Sequence, residues 1–290
     1  MAVLIMGYGE MGQAMEFLLA PKHRVTHWQR PASVDIAAAA RDAHAILLCV
    51  PAAAIANIVH LLTPHLTLDL PLVSISKGLD EHGRYAAKIL AEACPRDQAW
   101  AVIYGPMIAE EMRAGRLGFA QIAATTAAAQ ARMRELFMHS HLYLEDGADI
   151  TGMSWCAVLK NVYTLLFGAA EALELGDNMR GLLVAHSLRE LALIVAHQGG
   201  SAATVTQLAG VGDLITTATS AGSHHHILGR RLAQGDTSEI RGEGVHTIAM
   251  IEQHGLIQSE SYPLLRLACA FFHAPEQARA LFDAYIARNF

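Results

Sequence analysis

The stretch AVLIMGYGEMG, residues 2–12, decides the fold of the first half of the chain. Its five apolar residues suit a strand buried on both faces, and a GxGxxG pattern follows directly. In a dinucleotide-binding loop the first glycine makes the tight turn, the second lets the pyrophosphate approach the backbone, and the third lets helix and strand pack closely. A helical pattern over residues 13–19 completes the unit, so the stretch predicts a cofactor loop of the Rossmann type.

Further strands in the first half predict a sheet around this one. They are expected at residues 24–28, 45–50, 72–76, 99–103, 118–124 and 141–144. A helical pattern over residues 52–62 follows the third of these strands. Strands that alternate with helices indicate a doubly wound parallel sheet with helices on both faces.

The pattern becomes almost wholly helical after Asp149. Predicted helices cover residues 153–175, 180–197, 203–210, 226–234, 245–253, 261–271 and 275–288. We therefore predict an α/β protein with two domains. Residues 1–148 form a dinucleotide-binding Rossmann domain, and residues 149–290 form an α-helical substrate-binding and catalytic domain.

Composition excludes several classes of function. The formal net charge is -6, and no basic stripe is present to bind nucleic acid or an acidic membrane surface. No window offers about 18 uninterrupted apolar residues, as a membrane-spanning helix would need. The four cysteines are widely spaced among apolar residues, which indicates reduced thiols. We expect a cytoplasmic protein with no nucleic-acid or membrane partner.

Lys160 is the first sign of chemistry in the second half. It lies in the middle of an apolar helical pattern that runs from Trp155 to Leu173. A buried ammonium must recover its lost hydration from a partner. Lys160 either reaches solvent from a half-buried helix or exchanges a proton in a cleft, and the rest of the chain favours the second interpretation.

Asp213 is the candidate partner of Lys160. It lies between two glycines and two threonines in the loop GVGDLITT at residues 210–217. One interpretation is an aspartate that caps a helix N-terminus in a turn. The functional interpretation pairs Asp213 with Lys160 and supplies the counter-charge that a buried ammonium needs.

Three consecutive histidines at residues 224–226 are the oddest local composition. Adjacent residues cannot share one helix face, and metal-binding pairs on helices usually stand four residues apart. We expect a polar loop at the edge of a site and no metal.

The end of the second predicted strand bears on cofactor choice. Sites that prefer NAD usually place an acidic residue there for the ribose 2′-hydroxyl. This chain has Gln29 and Arg30, with Ser33 nearby. Because an arginine suits a 2′-phosphate, we expect NAD(P) binding with NADP slightly favoured over NAD.

The motifs together resemble the NAD(P)-dependent glycerol-3-phosphate dehydrogenases of the soluble, bacterial type. The matching stretches are GYGEMG at 7–12, SKG at 76–78, GPMIAEE at 105–111, LKNV at 159–162, GDN at 176–178, LRELA at 188–192, LAGVGDLITT at 208–217 and GEGV at 242–245. The resemblance covers nearly the whole chain. It implies a Rossmann domain, an α-helical substrate domain and a homodimer.

The resemblance also implies roles for individual residues. Lys160 matches the lysine that acts as acid and base at the substrate oxygen, Asp213 the aspartate that orients it, and Lys77 a lysine that touches substrate and nicotinamide. The expected substrate-binding residues are Asn161, Gly105, Met107, Thr217, Ser223, His224 and His225. The expected cofactor-binding residues are Gly7, Tyr8, Gly9, Glu10, Met11, Gly12, Arg30, Pro51, Lys77, Ala109 and Glu243.

The phosphate-binding motif departs from the family pattern. The family's Ser-Arg-Asn, whose arginine holds the substrate phosphate, reads Ser223-His224-His225 here. His186 replaces another arginine of the family, and Met107 replaces a small or polar residue. A mostly neutral histidine cannot grip phosphate through two fixed N–H groups. We expect intact hydride transfer beside an altered phosphate site that binds an anion more tightly at lower pH.

These observations predict an oxidoreductase that transfers a hydride between NAD(P)H and the keto carbon of dihydroxyacetone phosphate or a related ketone. One alternative is a β-hydroxyacid or ketopantoate-type reductase, which has the same two-domain plan but lacks the GDLITT loop. The other is an NADP-binding sensor without turnover. The missing arginines favour the sensor, whereas Lys77, Lys160 and Asp213 oppose it.

Overall fold

The apolar runs of the first half form one sheet. The structure is a computed structural model that describes residues 1–30, 34–220 and 222–290, and within these ranges the sheet has seven strands. The strands are β1 (Ala2–Met6), β2 (Arg24–Trp28), β3 (Ala45–Leu48), β4 (Leu72–Ser74), β5 (Trp100–Tyr104), β6 (Gly118–Ala124) and β7 (Leu142–Asp146).

The strand order is β2-β1-β3-β4-β5-β6-β7, so the order reverses between β1 and β3. Ligands of such sheets bind beyond the carboxyl ends of the strands at this reversal. The pairing of β5 with β6 is antiparallel, whereas the other pairs are parallel. The sheet is therefore mostly parallel, as predicted, and only this pair departs from the parallel pairing. The connection over residues 105–117 contains only a five-residue helix, which is too short to carry the chain back along the sheet.

Alternate residues of the strands point into two separate apolar cores. Val3 and Ile5 of β1 pack into one core, and Leu4 and Met6 pack into the other. Helices cover both faces, as the predicted doubly wound sheet requires. They are α1 (Glu10–Leu19), α2 (Ile36–Asp42), α3 (Ala52–Leu62), α4 (Ala86–Ala93), α5 (Ala109–Arg113) and α6 (Ala127–Phe137).

The chain divides into two compact units. The first unit comprises Met1–Asp80 and Arg84–Ile150, and the second comprises Glu81–Gly83 and Thr151–Phe290. The short segment 81–83 belongs to the second unit, where His254 Nε2 lies 2.9 Å from the carbonyl oxygen of Glu81.

Among the residues that the structure describes, the second unit consists of helices joined by turns and loops and has no strand. Its α-helices are α7 (Ile150–Ala172), α8 (Gly176–His197), α9 (Asp213–Thr219), α10 (His224–Ala233), α11 (Glu243–His254), α12 (Pro263–His273) and α13 (Ala278–Asn289). The predicted helix over 203–210 was wrong in type, because residues 202–206 form a 3₁₀ turn and residues 208–212 a π-helical turn. The predicted fold class is confirmed: a Rossmann sheet followed by an all-α part.

Long helices raise the question of membrane insertion. Among the described residues, no helix combines the length and the hydropathy that a membrane span requires.

Candidate active site

Lys160 lies on the most deeply buried helix of the second unit. All side chains of α7 from residue 152 to residue 170 are buried, and Lys160 itself is 6% exposed. Its ammonium donates to Asp213 Oδ1 at 2.8 Å and to Thr217 Oγ1 at 2.7 Å. The interpretation of Lys160 as a side chain that reaches solvent is therefore wrong.

Asp213 and Thr217 come from α9 and lie one helical turn apart. Asp213 is 1% exposed, and the Thr217 hydroxyl donates to the Asp213 carbonyl oxygen at 2.8 Å. The hydroxyl therefore turns its lone pairs toward the ammonium. Gly212 holds the N-cap position of α9, and the carboxylate of Asp213 faces Lys160. The pair carries balanced charges in a buried place, where removal of one partner is costly.

Asn161 connects the same helix to α11. Its amide Nδ2 donates to Glu243 Oε2 at 3.1 Å, and Glu243 is the first residue of α11. The next residue, Gly244, packs directly on α7: a Cβ there would lie 2.6 Å from the carbonyl oxygen of Asn161. The N-terminus of α11 is therefore held against the residue that follows Lys160.

Two glycines bring α10 onto α7. A Cβ at Gly168 would overlap the carbonyl oxygen of His226, and a Cβ at Gly229 would overlap that of Leu165. This close crossing places the start of α10, with its three histidines, beside the cluster around Lys160. Ser223 is the N-cap residue of α10, and its hydroxyl accepts from the amide of His226 at 3.4 Å.

The three histidines have different surroundings. His224 is exposed. His225 Nε2 lies 3.0 Å from the backbone nitrogen of Gly244. His226 is buried, with Nδ1 2.6 Å from the carbonyl oxygen of Ala218 and Nε2 2.7 Å from Glu171 Oε2. Burial, the positive charge of Lys160 and the neighbouring His224 lower the pKa of His225 to about 4. The expected increase of anion binding at lower pH therefore cannot come from His225 near neutrality.

His186 stands where the similar family has another arginine, and it packs against residues near the C-terminus. Its Nδ1 lies 2.5 Å from the Tyr285 hydroxyl, and its ring stacks on Phe290. Burial lowers the pKa of His186, which disfavours the cation that an anion site would need.

Lys77 lies in the first unit, three residues beyond the end of β4. Its ammonium donates to the carbonyl oxygen of Gly105, the residue after β5, at 3.0 Å. This contact joins the SKG and GPMIAEE motifs at neighbouring carboxyl ends of the sheet. Met107 is buried in the apolar core, and Ala109 begins α5.

The glycine loop has the geometry that a dinucleotide requires. Gly7 has a φ of +94°, and a Cβ there would lie 2.5 Å from the carbonyl oxygen of Cys49, just after β3. Gly12 is buried, and a Cβ there would overlap the carbonyl oxygen of Gly7. Gly9 is the N-cap residue of α1 and is open on its free side, with nothing within 4 Å of a Cβ. The loop therefore offers an accessible helix N-terminus at the point where the strand order reverses.

Five other predicted cofactor-binding residues lie within this loop or just after β2 and β3. Tyr8 is half-buried and stacks on His27 with ring centroids 4.0 Å apart. Arg30 is exposed after β2, and Pro51 is the N-cap residue of α3. Glu10 is exposed and Met11 half-buried at the start of α1. Ser33 lies outside the described residues.

Sequence reasoning missed several residues that support these predicted contacts. Glu16 accepts a hydrogen bond from the Tyr8 hydroxyl, and Gln13 Nε2 donates to the Tyr8 carbonyl oxygen at 3.3 Å. Glu171, whose Oε2 lies 2.7 Å from His226 Nε2, was also missed. It is the second charged residue, after Lys160, of a largely apolar helix, and this pattern could have flagged it.

The three histidines do not form a metal site. Among the residues that the structure describes, no group of three or more histidine, cysteine, aspartate or glutamate side chains is arranged to hold a metal ion.

Comparison with known proteins covers both halves of the chain. Residues 31–132 match the model of the N-terminal part of NAD-dependent glycerol-3-phosphate dehydrogenase, and residues 149–281 match the model of its C-terminal part.

Relatives and solved structures agree with this match. The glycerol-3-phosphate dehydrogenase [NAD(P)+] of Thermosynechococcus vestitus is 31% identical over 88% of this chain and 86% of its own length. The enzyme of the same name from Gloeobacter violaceus is 29% identical over 93% and 92%. The crystal structure of glycerol-3-phosphate dehydrogenase from Coxiella burnetii superposes with a TM-score of 0.86 over 98% of both chains at 22% identity, which shows a shared fold.

Proposed function

The chain belongs to the NAD-dependent glycerol-3-phosphate dehydrogenase family, and from this premise we propose the reaction it catalyses. It transfers a hydride between NAD(P)H and the keto carbon of dihydroxyacetone phosphate, and the reverse reaction oxidises glycerol 3-phosphate. The observation that carries the proposal is the buried Lys160 ammonium, bonded to Asp213 Oδ1 at 2.8 Å. A structural helix gains nothing from a buried charge, whereas proton transfer to a ketone oxygen requires a fixed acid.

Lys160 is the proton donor in this proposal. As the keto carbon is reduced, its oxygen gains negative charge, and a nearby ammonium both stabilises that charge and donates a proton. Asp213 and Thr217 hold the ammonium in one orientation. In the reverse direction the neutral amine accepts the proton of the alcohol. Lys77 is the second cation assigned to substrate and nicotinamide.

The glycine loop of the first unit fits the dinucleotide. A Cβ at Gly7 would fill the space beside Cys49, and the N-terminus of α1 offers its free N–H groups to a pyrophosphate. The nicotinamide supplies the hydride when it is bound. We assign the cofactor to Gly7, Tyr8, Gly9, Glu10, Met11, Gly12, Arg30, Pro51, Lys77, Ala109 and Glu243. The exposed Arg30 after β2 supports a preference for NADP over NAD.

The remaining assignments concern the substrate and the assembly. Residues 1–148 bind the cofactor, and residues 149–290 carry most of the substrate site. We assign the substrate to Asn161, Gly105, Met107, Thr217, Ser223, His224 and His225. A homodimer and a cytoplasmic location complete the proposal, and the reduced thiols of the four cysteines support a reducing compartment. Light scattering on a purified sample tests the dimer.

A cofactor-consumption assay tests the reaction directly. Dihydroxyacetone phosphate, dihydroxyacetone and a keto acid are each offered with NADH and with NADPH. We expect oxidation of the reduced cofactor by dihydroxyacetone phosphate, faster with NADPH. Activity with the keto acid alone would replace the proposal by a ketopantoate-type reductase. Tight cofactor binding without consumption on any substrate would replace it by a sensor.

A further inference from the structure

The contact between His225 and α11 defines the state of the imidazole. Nε2 lies 3.0 Å from the backbone nitrogen of Gly244. A backbone N–H can only donate, so Nε2 must accept and carries no proton. The ring is therefore neutral, with its proton on Nδ1.

The N-terminus of α11 needs a partner that its own sequence does not supply. The first N–H groups of a helix have no acceptor within the helix, and a side chain at the N-cap position usually satisfies one of them. Here that position holds Gly242, which has no side chain and makes no capping bond. His225 comes from another helix and accepts the N–H of Gly244 instead.

This end of α11 also carries the contact to α7. Glu243 precedes Gly244 and accepts a hydrogen bond from Asn161, which follows Lys160. A Cβ at residue 244 would lie 2.6 Å from the Asn161 carbonyl oxygen and 2.9 Å from Cδ2 of His225. The glycine thus lets α7, α10 and α11 meet at one point.

We propose that His225 is a positioning residue that holds the N-terminus of α11, and through it the bond between Glu243 and Asn161, beside Lys160. In this role His225 stays part of the proposed substrate site, but it acts there as a neutral helix cap and not as a cation for the substrate's anionic group. Lys160 on α7 and His224 on α10 act electrostatically on the ring, and Glu243 on α11 precedes the residue that the ring caps. A proton on the ring would place a second cation near Lys160 and against the positive end of the α11 dipole. Both effects favour the neutral ring that the cap requires.

Two substitutions separate the cap from the bulk of the ring. His225→Leu keeps a side chain of similar bulk but removes the hydrogen-bond acceptor. His225→Gln places an amide oxygen, which can accept, at about the reach of Nε2. We expect hydrogen–deuterium exchange of residues 242–250, measured by mass spectrometry, to accelerate about fivefold to tenfold in the leucine variant, as for a lost helix cap. The glutamine variant should exchange at about the wild-type rate. His60→Gln, on the exposed surface of α3, is the matched control.

A double-mutant cycle tests whether the cap acts through Glu243. The leucine variant should lose about tenfold in kcat/KM with dihydroxyacetone phosphate, and the glutamine variant should recover most of it. Combined with Glu243→Ala, which removes the acceptor of Asn161 Nδ2, the leucine substitution should add little further loss, because the cap acts through that bond. This kinetic part rests on the proposed function, whereas the exchange measurement does not. Unchanged exchange in the leucine variant, failure of glutamine to restore it, or fully additive kinetic losses would each overturn the role of His225.

Discussion

Two neighbouring parts of the second unit give their titratable side chains opposite hydrogen-bonding roles, donor in one and acceptor in the other. In the cluster of α7 and α9, the Lys160 nitrogen acts as a donor, to a carboxylate and to a hydroxyl oxygen. At the start of α10, His225 faces a backbone N–H, so its Nε2 carries no proton. His226 differs again, because its two nitrogens face the carbonyl oxygen of Ala218 and a carboxylate. Partners, rather than residue type, therefore decide which groups can serve as acids or bind an anion.

The largest expected effect comes from removal of the ammonium. Lys160→Ala should lower turnover by about 10²-fold or more, the usual loss when a positioned acid is removed. Cofactor affinity, measured by fluorescence titration, should stay near that of the wild type, because the glycine loop belongs to the first unit. Lys88→Ala changes an exposed lysine on α4 and is the control. Near-normal turnover of Lys160→Ala on any substrate would remove Lys160 from the mechanism.

A smaller effect is expected when the ammonium stays and the carboxylate loses its charge. Asp213→Asn removes the negative charge that compensates the buried ammonium of Lys160. This loss should lower the free energy of unfolding by about 3 kcal/mol. Urea denaturation measures this loss. The matched change Asp177→Asn breaks an exposed ion pair with Arg180 and should cost less than about 1 kcal/mol. Equal losses of unfolding free energy in the two variants would mean that the buried Lys160–Asp213 pair stabilises the fold no more than an exposed pair does.

The smallest expected effect is a dependence of stability on pH that belongs to His225. Its pKa is lowered to about 4 from the ordinary 6.5, so the unfolded chain takes up a proton before the folded chain does. This contribution to stability is complete above about pH 6.5 and is lost as the pH falls toward about 4. Between about pH 7 and pH 4.5, the wild type should lose more unfolding free energy than His225→Gln. Parallel pH curves would show that the ring does not titrate in this way.

The sequence predicted the main elements because their patterns are local. The sequence placed β1, β2, β6 and α3 at the observed bounds. A continuous apolar run located β1, and helical periodicity located α3. The direction of β6 was not readable, because an apolar run has the same appearance in a parallel and in an antiparallel pair. Residues 203–210 have the apolar spacing of an α-helix, but they form a 3₁₀ turn and part of a π-helical turn. Gly210 packs against the backbone of Val205 between these turns.

The candidate site was predictable where the local sequence shows both the functional residue and the physical need for a partner. A lysine within an apolar helix demands a counter-charge, and the GDLITT loop supplied an aspartate for it. The contacts of His225 and His226 were not predictable. They depend on the crossing of α7 and α10 at Gly168 and Gly229, and on partners in other helices. Periodicity places a residue on a face of its helix but does not identify the atom that faces it.

Isotope transfer to the product tests the central claim most directly. NADPH that carries deuterium at both C4 positions of the nicotinamide is incubated with dihydroxyacetone phosphate and the wild-type protein, and then with Lys160→Ala. The account predicts glycerol 3-phosphate with deuterium at C2. The variant should form this product at least about 10²-fold more slowly than the wild type. A product without deuterium at C2, or equal rates of its formation by the two proteins, would contradict it.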